Sequence, residues 1–327
     1  MTILVTGSSG HLGEARVRTL RALRREVVGL DVLPGAFTHR VGSIADRAFV
    51  RRCMQGAAAV FHAATLHKPH IATHSRQDFV DVNITGTLNL LEEAASEGVG
   101  AFVYTSTTSV FGDALVPPFG APTAWVTEDV TPLPKNIYGA TKAAAEDLCQ
   151  LFARNHSLPT LVLRTSRFFP EEDDSRAVRE AYADGNSKAN EFLYRRVDIE
   201  DVVSAHLLAA ERAPKARFAK YIISATTPFA RDDVAELRER AAQVVRRHVP
   251  DYEAEYARRG WKMMAGIDRV YINDKARAEL GWRPRHDFRA LVARLKTGGN
   301  VLSPLARQVG AKGYHDQAFS EGPYPVE

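Results

Sequence analysis

The opening stretch, Ile3 to Gly13, constrains this chain more than any later one. Ile3-Leu4-Val5 is an apolar run too short for a helix and rich in strand formers, and it breaks at Gly7. An apolar-periodic segment follows at Leu12, Ala15, Val17 and Leu20, so the stretch reads as strand, tight turn, helix. Gly7 lets the backbone turn sharply, Gly10 admits close approach by a ligand, and Gly13 lets the helix pack against the strand. Such a turn aims the N–H groups of a helix N-terminus at an anion, and it cradles a pyrophosphate without any basic side chain.

Glycines in this pattern also serve as a plain flexible turn, and the sequel separates the two readings. Glu26 to Asp31 is a second apolar strand that ends in a carboxylate, about 20 residues past the glycines. That spacing sets Asp31 against the ribose hydroxyls of an adenosine, and the combined pattern predicts a dinucleotide site. Asp31 favours NAD, because its charge repels the additional phosphate of NADP; Arg40 is the one nearby residue that argues the other way.

The alternation then continues. A short strand at Val41 hands over to a helix through Asp46, and Ala57 to Ala64 is a nearly all-apolar strand. A long helical pattern runs from Phe79 to Gly98, followed by a strand at Ala101 to Thr105, a helix at Tyr138 to Asn155 and a strand at Thr160 to Arg164. The expected fold class is α/β, a doubly wound parallel sheet with a smaller C-terminal substrate-binding lobe. Residues 1–169 form the dinucleotide-binding domain, with 198–224 returning to it, and 170–197 together with 225–327 form the lobe. Helices are expected at Arg176 to Ala183, Ile199 to Glu211, Asp232 to Arg247 and Phe288 to Leu295, and 298–327 reads as an extended tail.

At 327 residues and 45% hydrophobic content, such a core is readily filled. The net charge of +4 comes from Arg residues scattered through mixed-sign helices, and no basic stripe with interleaved aromatics points to nucleic acid. The longest apolar run, Ala57 to Leu66, is well short of the roughly 20 residues of a membrane span. Met1-Thr2 leads straight into the first strand, so a secretory signal is not expected and a cytoplasmic protein is. Cys53 and Cys149, far apart and without C-x-x-C spacing, read as buried free thiols.

Tyr138 and Lys142 stand four apart at the start of a helical pattern, which puts both on one face. A phenol near its free pKa of about 10 is a poor base, and a neighbouring ammonium lowers that value. Tyr138 would then exchange a proton with a substrate hydroxyl, although the same spacing is common in helices by chance. Of His62, His67, His70 and His74, beside Lys68, the last three would fall on one face with spacing a metal could use if Pro69 opened a helix; no metal is expected.

Thr6-Gly7-Ser8-Ser9-Gly10-His11-Leu12-Gly13, Asp31, Val60-Phe61-His62-Ala63-Ala64, Asn83 to Thr87, Thr105 to Gly112, Tyr138 to Lys142 and Leu280-Gly281-Trp282-Arg283-Pro284 follow one another in order. With these motifs, spread over nearly its whole length, the chain resembles the extended short-chain dehydrogenase/reductases, in their NAD-dependent epimerase/dehydratase branch. The resemblance implies a Rossmann fold, NAD as cofactor and a homodimer paired through the helices at 79–98 and 138–155. It implies Tyr138 as general base, Lys142 as the residue that holds the nicotinamide ribose and tunes Tyr138, and Thr107 as hydrogen-bond partner of the reacting hydroxyl. Cofactor contacts are implied for Gly7, Ser9, Gly10, His11, Leu12, Gly13, Asp31, Ser43, Ile44, His62, Ala63, Ala64, Asn83, Thr105 and Ser106, besides Tyr138 and Lys142. Substrate contacts are implied for His67, Lys68, Thr107, Thr108, Arg167 and Phe168. Asn83 is read either as a support of the helix bearing Tyr138 or as a simple capping residue.

Four departures qualify the resemblance. Ser43 stands where relatives often carry an Asp for the adenine amine, leaving Ile44 to cover the ring. Glu14 stands where a small residue is usual and is expected to point to solvent. Thr108 and Ser109 stand where sugar-nucleotide dehydratases carry an Asp-Glu pair, which argues against dehydration. Arg167 stands where nucleotide-sugar epimerases carry an Asn; it either clamps an anionic group of a smaller substrate or pairs with Glu171 or Glu172. The first functional expectation is an NAD-dependent oxidoreductase or epimerase acting on a secondary alcohol of a sugar-like or small polyhydroxylated substrate. The alternatives are a nucleotide-sugar (UDP-sugar) 4-epimerase and a non-catalytic, dinucleotide-sensing binding protein.

Overall fold

A computed structural model describes residues 2–313 and 319 of the chain. Its main sheet has seven parallel strands: β1 (Thr2–Thr6), β2 (Val27–Asp31), β3 (Arg40–Val41), β4 (Ala57–His62), β5 (Ala101–Thr107), β7 (Thr160–Thr165) and β8 (Phe218–Ile223). The order across the sheet is β3-β2-β1-β4-β5-β7-β8. Successive residues of a strand point to opposite faces, and here both faces are apolar. Val5, Phe61, Val103 and Leu163 pack under α1 (His11–Ala22) and the helix Ile199–Ala216. Leu4, Val60, Phe102 and Val162 pack under α2 (Arg47–Met54) and the helices Gly86–Glu97 and Ile137–Asn155. Because β2 and β4 flank β1, the chain reverses its winding there, and a crevice opens at the carboxyl ends of these strands.

The pattern expected as one helix from Phe79 to Gly98 has an interruption. A short α-turn, Arg76–Phe79, runs into a π-helical stretch, Val80–Thr85, before the α-helix Gly86–Glu97 ends at Gly98 with φ 72°. The wider turn buries Asn83, a residue with four hydrogen-bonding positions to fill.

Past β7 the second lobe gathers Phe192, Val245, Tyr256, Phe288 and Leu291 around a core of its own. It is joined to the rest by a two-stranded parallel sheet, β6 (Ala124–Val126) with β9 (Arg269–Tyr271). The helix expected over Asp232 to Arg247 is broken into Val234–Leu237 and Ala241–His248, because the Leu237 carbonyl accepts the Ile267 N–H at 2.8 Å instead of continuing the helix. Trp282 is fully buried and donates to the Asp201 carbonyl at 3.1 Å, returning the C-terminal part to the first core. Within the expected tail, Ser303 caps a short helix, Pro304–Val309, that packs on α1 and on Ile199–Ala216. The rest of that tail, apart from 319, lies outside the described residues. Among the described residues no helix is long and apolar enough to cross a membrane, and Cys53 and Cys149 are free thiols.

Candidate active site

The turn after β1 is the base of a cleft of about 1300 Å³ that runs between the sheet and the second lobe. Its glycines leave no room for anything larger. Gly7 has φ 73°, and a Cβ there would lie 2.9 Å from the Ala64 nitrogen; at Gly13 it would meet the Gly7 carbonyl at 1.8 Å. Asp31 closes one end, its two carboxylate oxygens accepting the Ser9 and Leu33 N–H groups at 2.9 Å each. Backbone laid bare by glycine beside a helix N-terminus, with a carboxylate at the end of β2, fits a dinucleotide.

Ser43, Ile44, Ala63 and Ala64 line the same cleft, as do Ser9, Gly10, His11 and Leu12. Two residues expected at the cofactor do not line it. His62 is buried in the core: Thr6 Oγ1 accepts the Ala63 and Ala64 N–H groups at 3.1 Å and therefore donates to His62 Nδ1 at 2.8 Å. His62 Nε2 then donates to Thr87 Oγ1 at 2.9 Å, and burial holds the ring neutral, far below the usual histidine range. Its polar contacts are spent on joining β1, β4 and the following helix.

Asn83 lies behind the cleft wall. Its oxygen accepts from Thr65 Oγ1 and the Leu66 N–H, both at 2.8 Å, and its amide donates to the Leu66 carbonyl at 3.1 Å and Thr141 Oγ1 at 3.0 Å. One side chain thus ties the loop after β4 to the helix Ile137–Asn155, which is the supporting reading rather than the capping one.

That helix starts at Asn136, whose side chain accepts the Gly139 N–H at 3.1 Å, and its first turns carry Tyr138 and Lys142 into the cleft. Thr107, at the end of β5, lies in the cleft beside the Tyr138 phenol, and its hydroxyl favours the phenolate. Thr105, Ser106 and Thr108 line the cleft beside it. The electrostatics differ from the expectation. Burial pushes the phenol up to about 12, and only Thr107 draws it down. Lys142 donates to the Thr105 carbonyl at 2.7 Å and sits 4.1 Å from the centroid of the Tyr104 ring, and burial pushes it down to about 7. Desolvation exceeds the attraction that was to lower the phenol. One turn on, the buried Glu146 accepts from Ser106 Oγ at 2.6 Å and from Arg164 Nη2 at 2.7 Å.

On the substrate side, His67 has its ring centroid 6.0 Å from that of Tyr138 and is held neutral, well below the usual range, mainly by burial. Lys68 and Phe168 line the cleft with it. Among the described residues the histidine cluster does not bring three ligand atoms within 4.8 Å of one another; only Asp198, Glu200 and His286 do, far along the chain. Arg167 lines the cleft but is engaged: Nη1 meets Asp174 at 3.1 Å, Nη2 the Glu172 carbonyl at 2.8 Å, and Nε lies 3.8 Å from Glu191. Its planar fork is engaged by Asp174 and the Glu172 carbonyl of its own loop and lies beside Glu191, which is the ion-pair reading rather than a free anion clamp. Glu171 pairs instead with His11, at 2.7 Å.

Glu14 is buried, paired with Arg18 at 2.7 Å and with Lys312, and does not point to solvent. Arg269 and Tyr271 of β9, and Lys312 and Gly313, also line the cleft and were not foreseen. Arg269 Nη1 meets Asp268 at 3.0 Å, while among the described residues its buried Nε has no hydrogen-bond partner. Arg269 and Tyr271 precede the Leu280 to Pro284 motif closely enough to be suspected; nothing local marks Lys312.

A protein-family model described as "NAD dependent epimerase/dehydratase family" matches residues 3–223. The chain is 30% identical over 335 residues to the dTDP-glucose 4,6-dehydratase of Streptomyces antibioticus, covering 90% of this chain and 91% of that one. It is 25% identical over 322 residues to the UDP-glucose 4-epimerase of Streptomyces lividans, with 89% and 93% covered. Identity is higher over shorter stretches, where the match spans 40%, 45% and 52% of three relatives' own length. In fold it is similar to a short-chain dehydrogenase/reductase superfamily protein from Agrobacterium tumefaciens crystallised with bound NAD, with a TM-score of 0.65, 24% identity, and 94% and 97% of the two chains covered.

Proposed function

Because the chain belongs to the NAD-dependent epimerase/dehydratase family, we propose that it is an NAD-dependent oxidoreductase or epimerase acting at a secondary alcohol of a nucleotide-linked sugar. The observation that carries this reading is the meeting of Thr107, Tyr138 and Lys142 in one cleft with the glycine cradle and Asp31. A binding protein without chemistry would have no use for that trio beside a dinucleotide site.

When bound, the oxidised nicotinamide supplies a hydride acceptor and a positive charge close to the phenol. Thr107 Oγ1, beside Tyr138 in the cleft, fixes the substrate hydroxyl, and Tyr138 takes its proton. Lys142, buried and anchored on the Thr105 carbonyl, holds the ribose side of the site and, while protonated, supplies charge that favours the phenolate. Asp31 receives the adenosine ribose and sets the preference for NAD over NADP. Thr108 and Ser109 offer no carboxyl group, so water elimination as in the dehydratase relative is not part of this reading.

Two points favour a nucleotide sugar over a small free polyol. The two relatives matched over about nine tenths of both chains are named for dTDP-glucose and UDP-glucose. The lobe side of the cleft also presents Arg269, whose guanidinium meets Asp268 through Nη1 at 3.0 Å and adds a cation suited to a phosphate. The family reading carries with it a homodimer through Gly86–Glu97 and Ile137–Asn155, which sedimentation would check.

The test is a panel of UDP- and dTDP-sugars, free sugars, uronates and sugar phosphates, followed at the reduced-nicotinamide absorbance with product isomers identified. Release of reduced cofactor marks a dehydrogenase, and isomer exchange without added NAD an epimerase. Turnover of free sugars alone would overturn the nucleotide-sugar assignment.

A further inference from the structure

The chain reaches from its last described helix back to its first. After Pro304–Val309, Gly310 turns with φ 65°, and Lys312 arrives at the N-terminal end of α1. There it is held twice. Its backbone N–H donates to Glu171 Oε1 at 2.9 Å, the same oxygen that meets His11 Nε2 at 2.7 Å, and its ammonium pairs with Glu14 Oε2. The other oxygen of Glu14 is taken by Arg18 Nε at 2.7 Å. Lys312 and Gly313 line the same cleft as Gly7, Ser9, Gly10 and His11.

Glu14 is the residue that should not be there. It stands in the turn of α1 that follows Gly13, with a side chain only 7% exposed; it does not itself line the cleft, but a negative charge buried in the first turn of that helix opposes, through its field, the pyrophosphate the cradle would hold. Arg18, 37% exposed, meets only Oε1, and Oε2 belongs to Lys312. We propose that Lys312 is a positioning residue of the dinucleotide site, brought across by the C-terminal segment to neutralise Glu14 so that the cradle accepts a pyrophosphate. The inference rests on the reading of that cradle as an NAD site. It explains the Glu14 departure: the acidic residue after the glycines is tolerated because a cation from the far end of the chain accompanies it.

The test is isothermal titration of NAD into the purified full chain and three variants. Lys312→Met removes the charge and keeps most of the stem; it should weaken NAD binding about tenfold, as expected when one partner of a part-buried charge pair is lost at a binding site. Lys312→Arg should bind within about threefold of the unmodified chain. Lys312→Met combined with Glu14→Gln should recover most of the loss, because the charge left opposing the pyrophosphate is then gone. A lysine that merely fastened the tail would lower the melting temperature and leave these affinities alone. Equal NAD affinity for Lys312→Met and the unmodified chain overturns the proposal, as does a double variant no tighter than the single one. Absence of NAD binding by the unmodified chain removes the cofactor reading itself, and that result is separate from the other two.

Discussion

Replacing Lys142 by Met should make the protein more stable while stopping turnover. The lysine is 2% exposed, and burial pushes it from 10.5 down to about 7. That gap corresponds to about 5 kcal/mol against the ammonium form. The charged hydrogen bond to the Thr105 carbonyl returns about 1.5 to 3 kcal/mol, so the net gain for Met at neutral pH is about 2 to 3 kcal/mol. The sign with pH follows from proton counts: between about 7 and 10.5 the unfolded chain holds this proton and the folded one does not, so the stability of the unmodified protein rises with pH across that window. The advantage of Lys142→Met is therefore full below about pH 7 and fades towards pH 10. Urea titrations at about pH 6, 7.5 and 9, read with unchanged m-values, measure it. A variant less stable than the parent at pH 6, or a difference independent of pH, refutes the argument that this lysine is kept for function at the expense of the fold.

Tyr138→Phe should lower kcat by at least about 100-fold with substrate KM within a few-fold, since the ring packing stays and only the proton carrier goes; steady-state kinetics with the substrate found in the panel would show it, and unchanged kcat would remove Tyr138 from the mechanism. Asp31→Ala should raise the KM for NAD about tenfold and narrow the gap to NADP, because it releases the Ser9 and Leu33 N–H groups as well as a charge; full retention of the preference would discredit the assignment. Gly13→Ala places a methyl 1.8 Å from the Gly7 carbonyl, so it should abolish NAD binding in titration and lower the melting temperature; a variant that binds normally would mean the turn can open without penalty.

What the sequence made legible was mostly what backbone sterics enforce. Gly7 and Gly13 occupy positions that no other residue fits, and Asp31 ends a strand whose length and spacing are local properties. Tyr138 and Lys142 share a helical face for the same local reason. The errors share a different cause, long-range pairing that no local pattern records. His62 belongs to a hydrogen-bond chain with Thr6 and Thr87, Arg167 is filled by Asp174, and Glu14 is met by a residue almost 300 positions away. The Tyr138 and Lys142 ionisations went astray because burial depth, which only the assembled fold defines, outweighs proximity. Strands β6 and β9, three residues each, are too short for any periodicity to announce them.

The amide of Asn83 has a mechanical corollary. With Leu66 on one side and Thr141 on the other, it makes the loop after β4 and the Tyr138 helix a single rigid body. Accommodation of differently sized substrates must then be borne across the gap, by Leu115, Val116 and the strand carrying Arg269, and directed evolution of specificity has its freedom there.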